Sequence, residues 1–279
     1  MGQDRTELVK ELEDQAREVR RAVLRMTHAA GSGHPGGSLS ATDVLVTLFF
    51  HELNINPSEP KWPDRDRFVL SKGHAAPALY ATMARRGFFP VEELMSLRKM
   101  GSRLQGHVDA ATLPGIEAST GCLGQGLSMA VGMALDARLA GRRSRIYAMI
   151  GDGESQEGQT WEALMAGAHY KLDNMVAVLD RNGIETDGPT EEIMALEPVD
   201  DKMRAFNWHT IVVDAHSFPQ ILDALDEARR TKGKPTMIVA KSVKGKGVSF
   251  MENKAAYHGK PPSSEELVKG LRELGVEQP

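Results

Sequence analysis

The sequence has a single cysteine, no long apolar run and no excess of basic residues, and each absence excludes a class of protein. Cys122 is the only cysteine among 279 residues, which excludes an internal disulfide and favours a reducing compartment such as the cytoplasm. No stretch approaches the roughly 18 apolar residues of a membrane span. The acidic, polar N-terminal stretch lacks the apolar core of a signal peptide. We therefore expect a cytoplasmic protein with no membrane segment.

The balance of charge argues against a nucleic-acid partner. The formal net charge is −4, whereas a nucleic-acid-binding face needs clustered basic residues. Apolar residues make up 41% of the chain and charged residues 26%, as in ordinary globular proteins. A chain of this length buries about three quarters of its unfolded surface, so it needs no disulfide or metal to fold. We expect one large domain over residues 1–279, with a charged tail from about residue 260.

Short apolar, β-branched runs predict the strands, and helical stretches lie between most of them. The predicted strands cover residues 67–71, 146–150, 175–179, 211–213 and 236–240. The predicted helices between them cover residues 122–140, 157–171 and 217–231. No strand alternates cleanly between apolar and polar residues, as expected for strands buried on both faces. The pattern predicts an α/β fold, a doubly wound and mostly parallel sheet with helices on both faces.

Two helices are expected before the first strand. The first has apolar residues at three- and four-residue spacing and takes Thr6 as its N-cap. The second follows the polar turn GSGHPGGS and opens near Ser40. In folds of this class, ligands bind outside the carboxyl ends of the strands, so we look for functional residues in the turns found there.

A carboxylate and an amide follow two successive strands at that edge. Gly151-Asp152-Gly153 follows the strand 146–150, and Asn182 lies at the end of the next strand. Such oxygen ligands suit a hard divalent cation, with a backbone carbonyl and phosphate oxygens completing the coordination. Gly153 lets the backbone approach a ligand, and the N-terminus of the following helix favours phosphate. Each turn alone is commonplace, but the pair favours a diphosphate with its metal.

Four histidines lie in loops beside glycine. They are His34, His74, His107 and His258. A single loop histidine is usually just solvated, but four of them are better explained by one polar pocket. Histidine shifts protons near neutral pH, donates to phosphate and bonds sugar hydroxyls.

Stretches that run in order along most of the chain resemble transketolases. They are SGHPGGSLSATDVL, RFVLSKGHAAPALYA, LQGHVD, STGCLGQGLSMAVGMA, GDGESQEGQTWEA, LDRNGIETDG and IVAKSVKGKG, followed by YHGKPP. The resemblance implies thiamine diphosphate as cofactor, with Mg²⁺ or Ca²⁺ bound by Asp152, Asn182 and the backbone carbonyl of Ile184. It also implies that the N–H of Gly153 contacts the diphosphate.

The same resemblance implies a role for each histidine. His74 would contact the diphosphate, and His34 would lie beside the donor sugar. His107 would help to orient and deprotonate the donor. His258 would lie near both the diphosphate and the substrate hydroxyls.

Further residues match the family pattern. Gly121 and Leu123 would flank the cofactor, and Lys244 would lie near the diphosphate. Glu157 and Glu162 resemble carboxylates that link the two cofactor sites across a dimer, although an interpretation as surface charges, or as partners of a helix N-terminus, stays open.

Two positions depart from the pattern. Cys122 stands where the family usually has proline, and Gly37 stands where some members have serine. Neither departure removes a metal ligand. We expect Cys122 to be a small buried residue rather than a nucleophile.

The resemblance covers only the diphosphate- and metal-binding part of a transketolase. In the family, the glutamate that activates the aminopyrimidine ring lies in a second α/β domain, which has no counterpart here. We therefore expect the N-terminal subunit of a split enzyme, or a piece of a longer chain, inactive alone. The expected partner is a C-terminal subunit carrying the pyrimidine-binding domain, in an α2β2 heterotetramer.

The expected reaction transfers a two-carbon ketol unit from a ketose, usually phosphorylated, to an aldose acceptor. One alternative is a subunit of another thiamine diphosphate enzyme, such as deoxyxylulose phosphate synthase, which SGHPGG and SKGHA fit less well. Another is a non-catalytic cofactor-binding module, against which an adjacent gene for the partner would argue. A nicotinamide dehydrogenase is disfavoured, because Gly121, Gly124 and Gly126 have the wrong order for a dinucleotide loop.

Overall fold

The five predicted strands form one parallel sheet. In the computed structural model, which describes residues 4–278, the strands are β1 (Arg67–Leu70), β2 (Ile146–Gly151), β3 (Met175–Arg181), β4 (His209–Asp214) and β5 (Thr236–Lys241). Their order is β1-β2-β3-β5-β4, and every neighbouring pair is parallel. The predicted α/β fold with a parallel sheet is confirmed.

The α-helices precede, connect and follow these strands. They are α1 (Arg5–Ala30), α2 (Pro35–Thr47), α3 (Ala76–Arg86), α4 (Gln125–Leu139), α5 (Gly158–His169), α6 (Thr190–Ile193), α7 (Val199–Ala205), α8 (Phe218–Arg230) and α9 (Ser264–Glu273). A π-helical turn (Leu48–Glu52) continues α2, and 3₁₀ turns cover Gly73–Ala75, Val91–Ser96, Gly153–Gln156 and Ala255–His258.

Helices cover both faces of the sheet because alternate strand side chains enter two separate cores. In β2, Tyr147 and Met149 lie in the core that contains α1, α2, α3 and α8. Ala148 and Ile150 lie in the other core, with α4, α5 and α7. Both sets of side chains are buried, which is why the strand sequences show no polar alternation.

The first helix begins earlier than predicted. α1 starts at Arg5, and the carboxylate of Asp4 caps it by accepting a hydrogen bond from the N–H of Thr6 at 3.1 Å. The predicted cap, Thr6, is therefore wrong. Its N–H is the group being capped, since an N-cap carboxylate accepts from an N–H two or three positions further along the chain.

The second helix also begins early, at Pro35 rather than near Ser40. Proline suits the first helical turn, because the N–H that it lacks would have no helical partner there. The second half of the predicted polar turn, from Pro35 onwards, is therefore helical. Gly36 allows the close packing of this helix end, since a Cβ there would lie 2.8 Å from the carbonyl oxygen of Tyr257.

The predicted C-terminal tail contains α9, which packs against α1. Ser263 and Glu266 form a capping box at its start, and Leu271 is buried in the core shared with α1. The extent of the domain over residues 1–279 stays a prediction. Residues 1–3, on which the expected absence of a signal peptide partly depends, and residue 279 lie outside the described residues. Between residues 4 and 278, no helix combines the length and apolarity needed to cross a membrane.

Candidate active site

Loops at the carboxyl edge of the sheet line a cavity of about 260 Å³. Every predicted site residue except Glu162 lines it, namely His34, His74, His107, Gly121, Leu123, Asp152, Gly153, Glu157, Asn182, Ile184, Lys244 and His258. This is the edge where ligands bind in doubly wound sheets. The fold therefore brings residues from distant segments to one place.

A larger cavity, of about 680 Å³, lies at the opposite edge beside His169, Phe206 and Lys234. Its lining comes from segments that precede β3, β4 and β5. None of the predicted site residues is among the described residues that line it. Because it lies away from the carboxyl ends of the strands, we regard the smaller cavity as the candidate site.

The Asp152 carboxylate lies at the centre of the oxygen-rich side of the site. It is buried and accepts hydrogen bonds from the N–H of Gly153 at 2.9 Å and the N–H of Gly183 at 2.6 Å. The guanidinium of Arg181 lies 3.2 Å away. Burial and the charge of Asp180 raise the pKa of Asp152, while the two N–H groups and Arg181 oppose the rise.

Hydrogen bonds at both ends orient the Asn182 amide. Its Nδ2 donates to Asp180 at 3.4 Å, and its Oδ1 accepts from the N–H of Ile184 at 3.1 Å. The carbonyl oxygen of Ile184 in turn accepts a hydrogen bond from Nζ of Lys244 at 2.8 Å. Because β2 and β3 are neighbours in the sheet, their loops present these oxygens beside that of Asp152.

This donor set fits a hard divalent cation that is bound together with a phosphate. Across the described residues, no group of three or more His, Cys, Asp or Glu side chains could hold a metal ion. Asp152, Asn182 and Ile184 instead offer one carboxylate, one amide and one backbone carbonyl. Mg²⁺ bound by few protein ligands takes its remaining oxygens from phosphate and water. A metal here would therefore need a phosphate-bearing ligand.

Two lysines place positive charge beside these oxygens. Lys72 and Lys244 both line the cavity, and both are almost fully buried. Burial and the charge of Lys72 lower the pKa of Lys244 to about 8. Lys72 is paired with the carboxylate of Asp180, so an anionic ligand would mainly offset the charge of Lys244.

A 3₁₀ turn that was not predicted lies between Asp152 and the helix predicted over residues 157–171. Gly153–Gln156 form a 3₁₀ turn, and α5 begins only at Gly158. The N–H groups nearest the site therefore belong to this 3₁₀ turn rather than to the N-terminus of α5. Gly153 packs closely, because a Cβ there would meet the side chain of Glu185 at 3.0 Å.

The four histidines form one cluster. His34 lies 5.4, 5.8 and 5.5 Å from His74, His107 and His258, and His74 lies 5.1 Å from His258, measured between ring centroids. Burial, together with nearby positive charges, lowers the pKa of all four, that of His34 to about 4 and that of His258 to about 3. The imidazoles are therefore neutral at neutral pH, and each offers one donor and one acceptor nitrogen.

A buried ion pair beside the site was not predicted. Lys72 and Asp180 form a salt bridge, with only 1% and 3% of their side chains exposed. Asp180 also accepts hydrogen bonds from Ser40 at 2.7 Å and from Ser242. Burial disfavours the charged Asp180, but Lys72 and the serine hydroxyls outweigh it and lower the pKa of Asp180. The sequence did contain a signal for this ion pair, because Lys72 and Asp180 each directly follow one of the apolar runs that predict strands.

Glu154 was also missed, although it lies within the GDGESQ stretch. Its buried carboxylate accepts hydrogen bonds from Ser71, from the N–H of Gly124 at 2.9 Å and from the N–H of Gly151 at 3.1 Å. Burial raises the pKa of Glu154, and these hydrogen bonds oppose the rise. Glu154 thus joins the ends of β1 and β2 to the start of α4.

Arg98 lies beside two of the histidines but outside the sequence motifs quoted above. Its guanidinium donates to Ser32 at 2.7 Å and to the carbonyl of Gly106 at 3.4 Å, and lies 3.4 Å from Nδ1 of His34. Its charge contributes to the lowered pKa of both His34 and His107.

Three other predictions have different outcomes. Glu157 lines the cavity, whereas Glu162 lies on α5, outside it. Their predicted role across a dimer stays a prediction.

Cys122 is exposed, so the expectation of a buried residue is wrong. It lies on the loop before α4, where its neighbours Gly121 and Leu123 line the cavity and no core covers it.

Comparison with known proteins shows the family to which the chain belongs. Residues 13–279 match the family described as transketolase, thiamine diphosphate binding domain. The chain is 46% identical to the 6-deoxy-6-sulfo-D-fructose transketolase subunit SqwG of Clostridium sp. (strain MSTE9), over 96% of this chain and 97% of that protein. It is 41% identical to an apulose-4-phosphate transketolase subunit of Phocaeicola vulgatus, over 95% of this chain and 94% of that protein.

Longer relatives share the same fold. The transketolase of Leishmania mexicana matches with a TM-score of 0.90 and 32% identity, over 95% of this chain and 41% of that one. The chain thus spans about two fifths of the length of such enzymes. Fold and site together define a thiamine diphosphate-binding domain of the α/β class. The chain belongs to the transketolase family, and over nearly its whole length it is similar to relatives that are named as subunits.

Proposed function

We propose that this chain is the diphosphate- and metal-binding subunit of a two-chain transketolase. With a partner that carries the pyrimidine-binding domain, it would transfer a two-carbon ketol unit from a ketose, usually phosphorylated, to an aldose. The observation that carries the proposal is the convergence of the Asp152, Asn182 and Ile184 oxygens with two buried lysines and four neutral histidines in one cavity.

The oxygen-rich side of the cavity would hold the metal and the diphosphate. Asp152 and Asn182 would bind Mg²⁺ or Ca²⁺ through side-chain oxygens, and Ile184 would bind it through its carbonyl. Lys244 and His74 would donate to the diphosphate. Thiamine diphosphate, when bound, supplies the stabilised carbanion that ketol transfer needs.

The histidine side of the cavity would handle the sugar hydroxyls. His107 is the least buried of the four histidines and is the proposed base for the donor hydroxyl. Its pKa is lowered by burial and by Arg98, so it is neutral and able to accept a proton. His34 and His258 would orient the donor by hydrogen bonds to its hydroxyls.

An exposed apolar surface on α4 and α5 supports an assembly with further chains. We call it the α4–α5 surface, and its exposed residues include Met129 and Leu139 on α4, Met165 on α5 and Tyr170 directly after α5. Apolar side chains on neighbouring helices are typical of a protein–protein interface. Glu162 also lies on α5, which favours its proposed link between two cofactor sites of an α2β2 assembly.

The test is reconstitution with the partner polypeptide. The chain alone, the partner alone and the mixture would each receive thiamine diphosphate and Mg²⁺, with a panel of phosphorylated and sulfonated ketoses as donors. The panel includes 6-deoxy-6-sulfo-D-fructose and apulose-4-phosphate, after which two relatives are named. We expect ketol transfer only in the mixture. Turnover by the pure chain, or a mixture that binds no thiamine diphosphate, would contradict the proposal.

A further inference from the structure

His216 connects two segments that lie behind the candidate active site. It lies in the turn between β4 and α8, and its Nδ1 is 2.7 Å from Oδ2 of Asp43 on α2. Its Nε2 is 2.9 Å from the backbone nitrogen of Val243, in the loop after β5. His216 lines a separate crevice with Asp43 and Arg20 rather than the active-site cavity.

The two contacts determine which ring nitrogen carries the proton. A backbone N–H can only donate, so Nε2 of His216 must accept the hydrogen bond from Val243. The proton then lies on Nδ1 and is donated to the carboxylate of Asp43. The hydrogen bond that one ring nitrogen of a histidine makes thus determines whether the other nitrogen donates or accepts.

Burial and an ion pair fix the Asp43 carboxylate, which accepts the hydrogen bond from His216. Its side chain is 5% exposed and forms two hydrogen bonds of 2.7 Å with the guanidinium of Arg20. Burial opposes ionisation, but Arg20 and His216 outweigh it and lower the pKa of Asp43 to about 2. Arg20 itself donates to the carbonyl of Lys246 at 3.2 Å. The loop after β5 is thus anchored at two points, at Val243 by His216 and at Lys246 by Arg20.

The residue after the first anchor point is Lys244. Its side chain enters the cavity, where Nζ contacts the carbonyl of Ile184 at 2.8 Å and Nδ1 of His258 at 2.9 Å. A hydrogen bond to the adjacent backbone N–H restricts the direction in which this side chain leaves the loop. A group fixed in advance binds its ligand with a smaller entropic cost.

We propose that His216, oriented by Asp43, is a positioning residue that holds Lys244 in place for the diphosphate. The inference rests on the proposed function for the identity of the ligand. The loop restraint itself is independent of that ligand. His216 does not line the cavity, so it would act only through Val243 and the neighbouring lysine.

Two substitutions separate positioning from simple packing. His216→Gln places an amide near the position of Nε2, where it can accept from Val243. His216→Asn places an amide near the position of Nδ1, where it reaches Asp43 but not Val243. Both remove the imidazole. A packing role predicts that both variants behave alike, whereas positioning predicts that only His216→Asn releases the loop.

The first measurement is amide hydrogen exchange in the full chain, without any ligand. We expect the Val243 amide to exchange about tenfold faster in His216→Asn and nearly as in the parent in His216→Gln, which corresponds to about 1.4 kcal/mol for the lost hydrogen bond. Exchange in α5, on the other face of the sheet, serves as the internal control. Equal exchange at Val243 in both variants, or faster exchange throughout the chain, would overturn the restraint.

The second measurement is thiamine diphosphate binding by the complex with its partner, in a double-mutant cycle with Lys244→Met. We expect His216→Asn to weaken binding about tenfold when Lys244 is present and to have little effect in the Lys244→Met background. An equal effect in both backgrounds would reject positioning through Lys244. If the parent complex binds no thiamine diphosphate, the proposed function fails, and the exchange experiment still decides the restraint. If His216→Asn does not fold, a loss of Val243 protection in His216→Gln would overturn the proposal and retention would support it.

Discussion

Nζ of Lys244 donates a hydrogen bond to the backbone carbonyl of Ile184 at 2.8 Å, and this carbonyl is one of the three proposed metal ligands. A single oxygen therefore faces both an ammonium group and the proposed position of a divalent cation. The ammonium disfavours the cation by repulsion and favours the diphosphate by attraction. Metal and diphosphate should consequently bind together much better than either does alone.

Lys244→Met should weaken thiamine diphosphate binding and strengthen the binding of Mn²⁺ alone. The expected loss for the cofactor is about 1.5–3 kcal/mol, as for a charge-assisted hydrogen bond. Calorimetry with thiamine diphosphate, and electron paramagnetic resonance of Mn²⁺ without it, measure the two effects. Lys246→Met is the matched control, because that lysine is on the same loop and lines the crevice behind the site. Weaker binding of both ligands in Lys244→Met would contradict the shared-oxygen argument.

Asp152→Ala should abolish metal-dependent binding of thiamine diphosphate in the assembled enzyme. The substitution removes the carboxylate among the three proposed ligands, and a hard-ion site with few protein ligands tolerates that poorly. The measurement is calorimetry with excess Mg²⁺. Asp187→Ala, which changes an exposed carboxylate on a nearby loop, should bind normally. Unchanged affinity in Asp152→Ala would place the metal site elsewhere.

His74→Ala and His107→Ala should separate binding from turnover. His74 is proposed to contact the diphosphate, so its loss should weaken cofactor binding by about 1.5–3 kcal/mol. His107 is proposed to act on the donor hydroxyl, so its loss should lower kcat by about 10²–10⁴-fold with little change in cofactor affinity. Steady-state kinetics and cofactor titration by fluorescence quenching measure both quantities. His169→Ala, at the opposite edge of the sheet, is the control. If both active-site variants behave alike, the two roles have been wrongly divided.

Met129→Asp and Met165→Asp should impair assembly without unfolding the chain. Both side chains are substantially exposed, at 41% and 57%, so a charge there costs the folded chain little. In an interface, the same charge would lose its water. Sedimentation of the chain with its partner should show a smaller species for each variant. Met100→Asp, at a fully exposed loop position, should assemble normally. Normal assembly of all three variants would exclude the α4–α5 surface as an interface.

The free energy of unfolding should decrease as the pH is lowered below about 6.5, and His34 and His258 should contribute to this decrease. Their folded-state pKa values are about 4 and about 3, below the value of 6.5 expected for an unfolded histidine. As the pH falls below 6.5, the unfolded chain takes up protons that the folded chain does not, so the free energy of unfolding decreases. The limit is about 1.4 kcal/mol per pH unit for each histidine, and less here because both rings are partly exposed to solvent.

The double variant His34→Gln, His258→Gln should show a shallower dependence of stability on pH between 7 and 5. Urea unfolding at several pH values measures the slope. His51→Gln, which removes an exposed histidine outside the cluster, is the control for the loss of an imidazole as such. A double variant whose slope equals that of the parent would show that these two imidazoles are not held neutral by burial.

Prediction from the sequence succeeded where local pattern determines the structure. The apolar runs located all five strands, with ends within about two residues of those observed, because strands buried on both faces need continuous apolar residues. Asp152 and Asn182 were expected at one edge, and β2 and β3 are indeed neighbours. The roles of the histidines and of Lys244 came from the resemblance to transketolases and stay predictions.

Prediction failed where a long-range contact overrides the local pattern. The glycines after His34 look like a turn, but Pro35 starts a helix there, and the loop after β5 packs against it. Cys122 resembles a core residue by type, yet its position on a loop before α4 leaves it exposed. Arg98 lies outside the quoted motifs, and only the folding of two loops brings it to His34.

The sequence by itself determined the class of fold, the positions of the strands and the kinds of polar group that follow them. These depend on residue type and on periodicity over a few residues. Only the tertiary structure decided that β5 lies between β3 and β4, that Lys72 pairs with Asp180, and that His216 bonds the loop which carries Lys244. Those contacts join segments far apart in the chain, and the packing of the whole sheet, rather than any local preference, selects them.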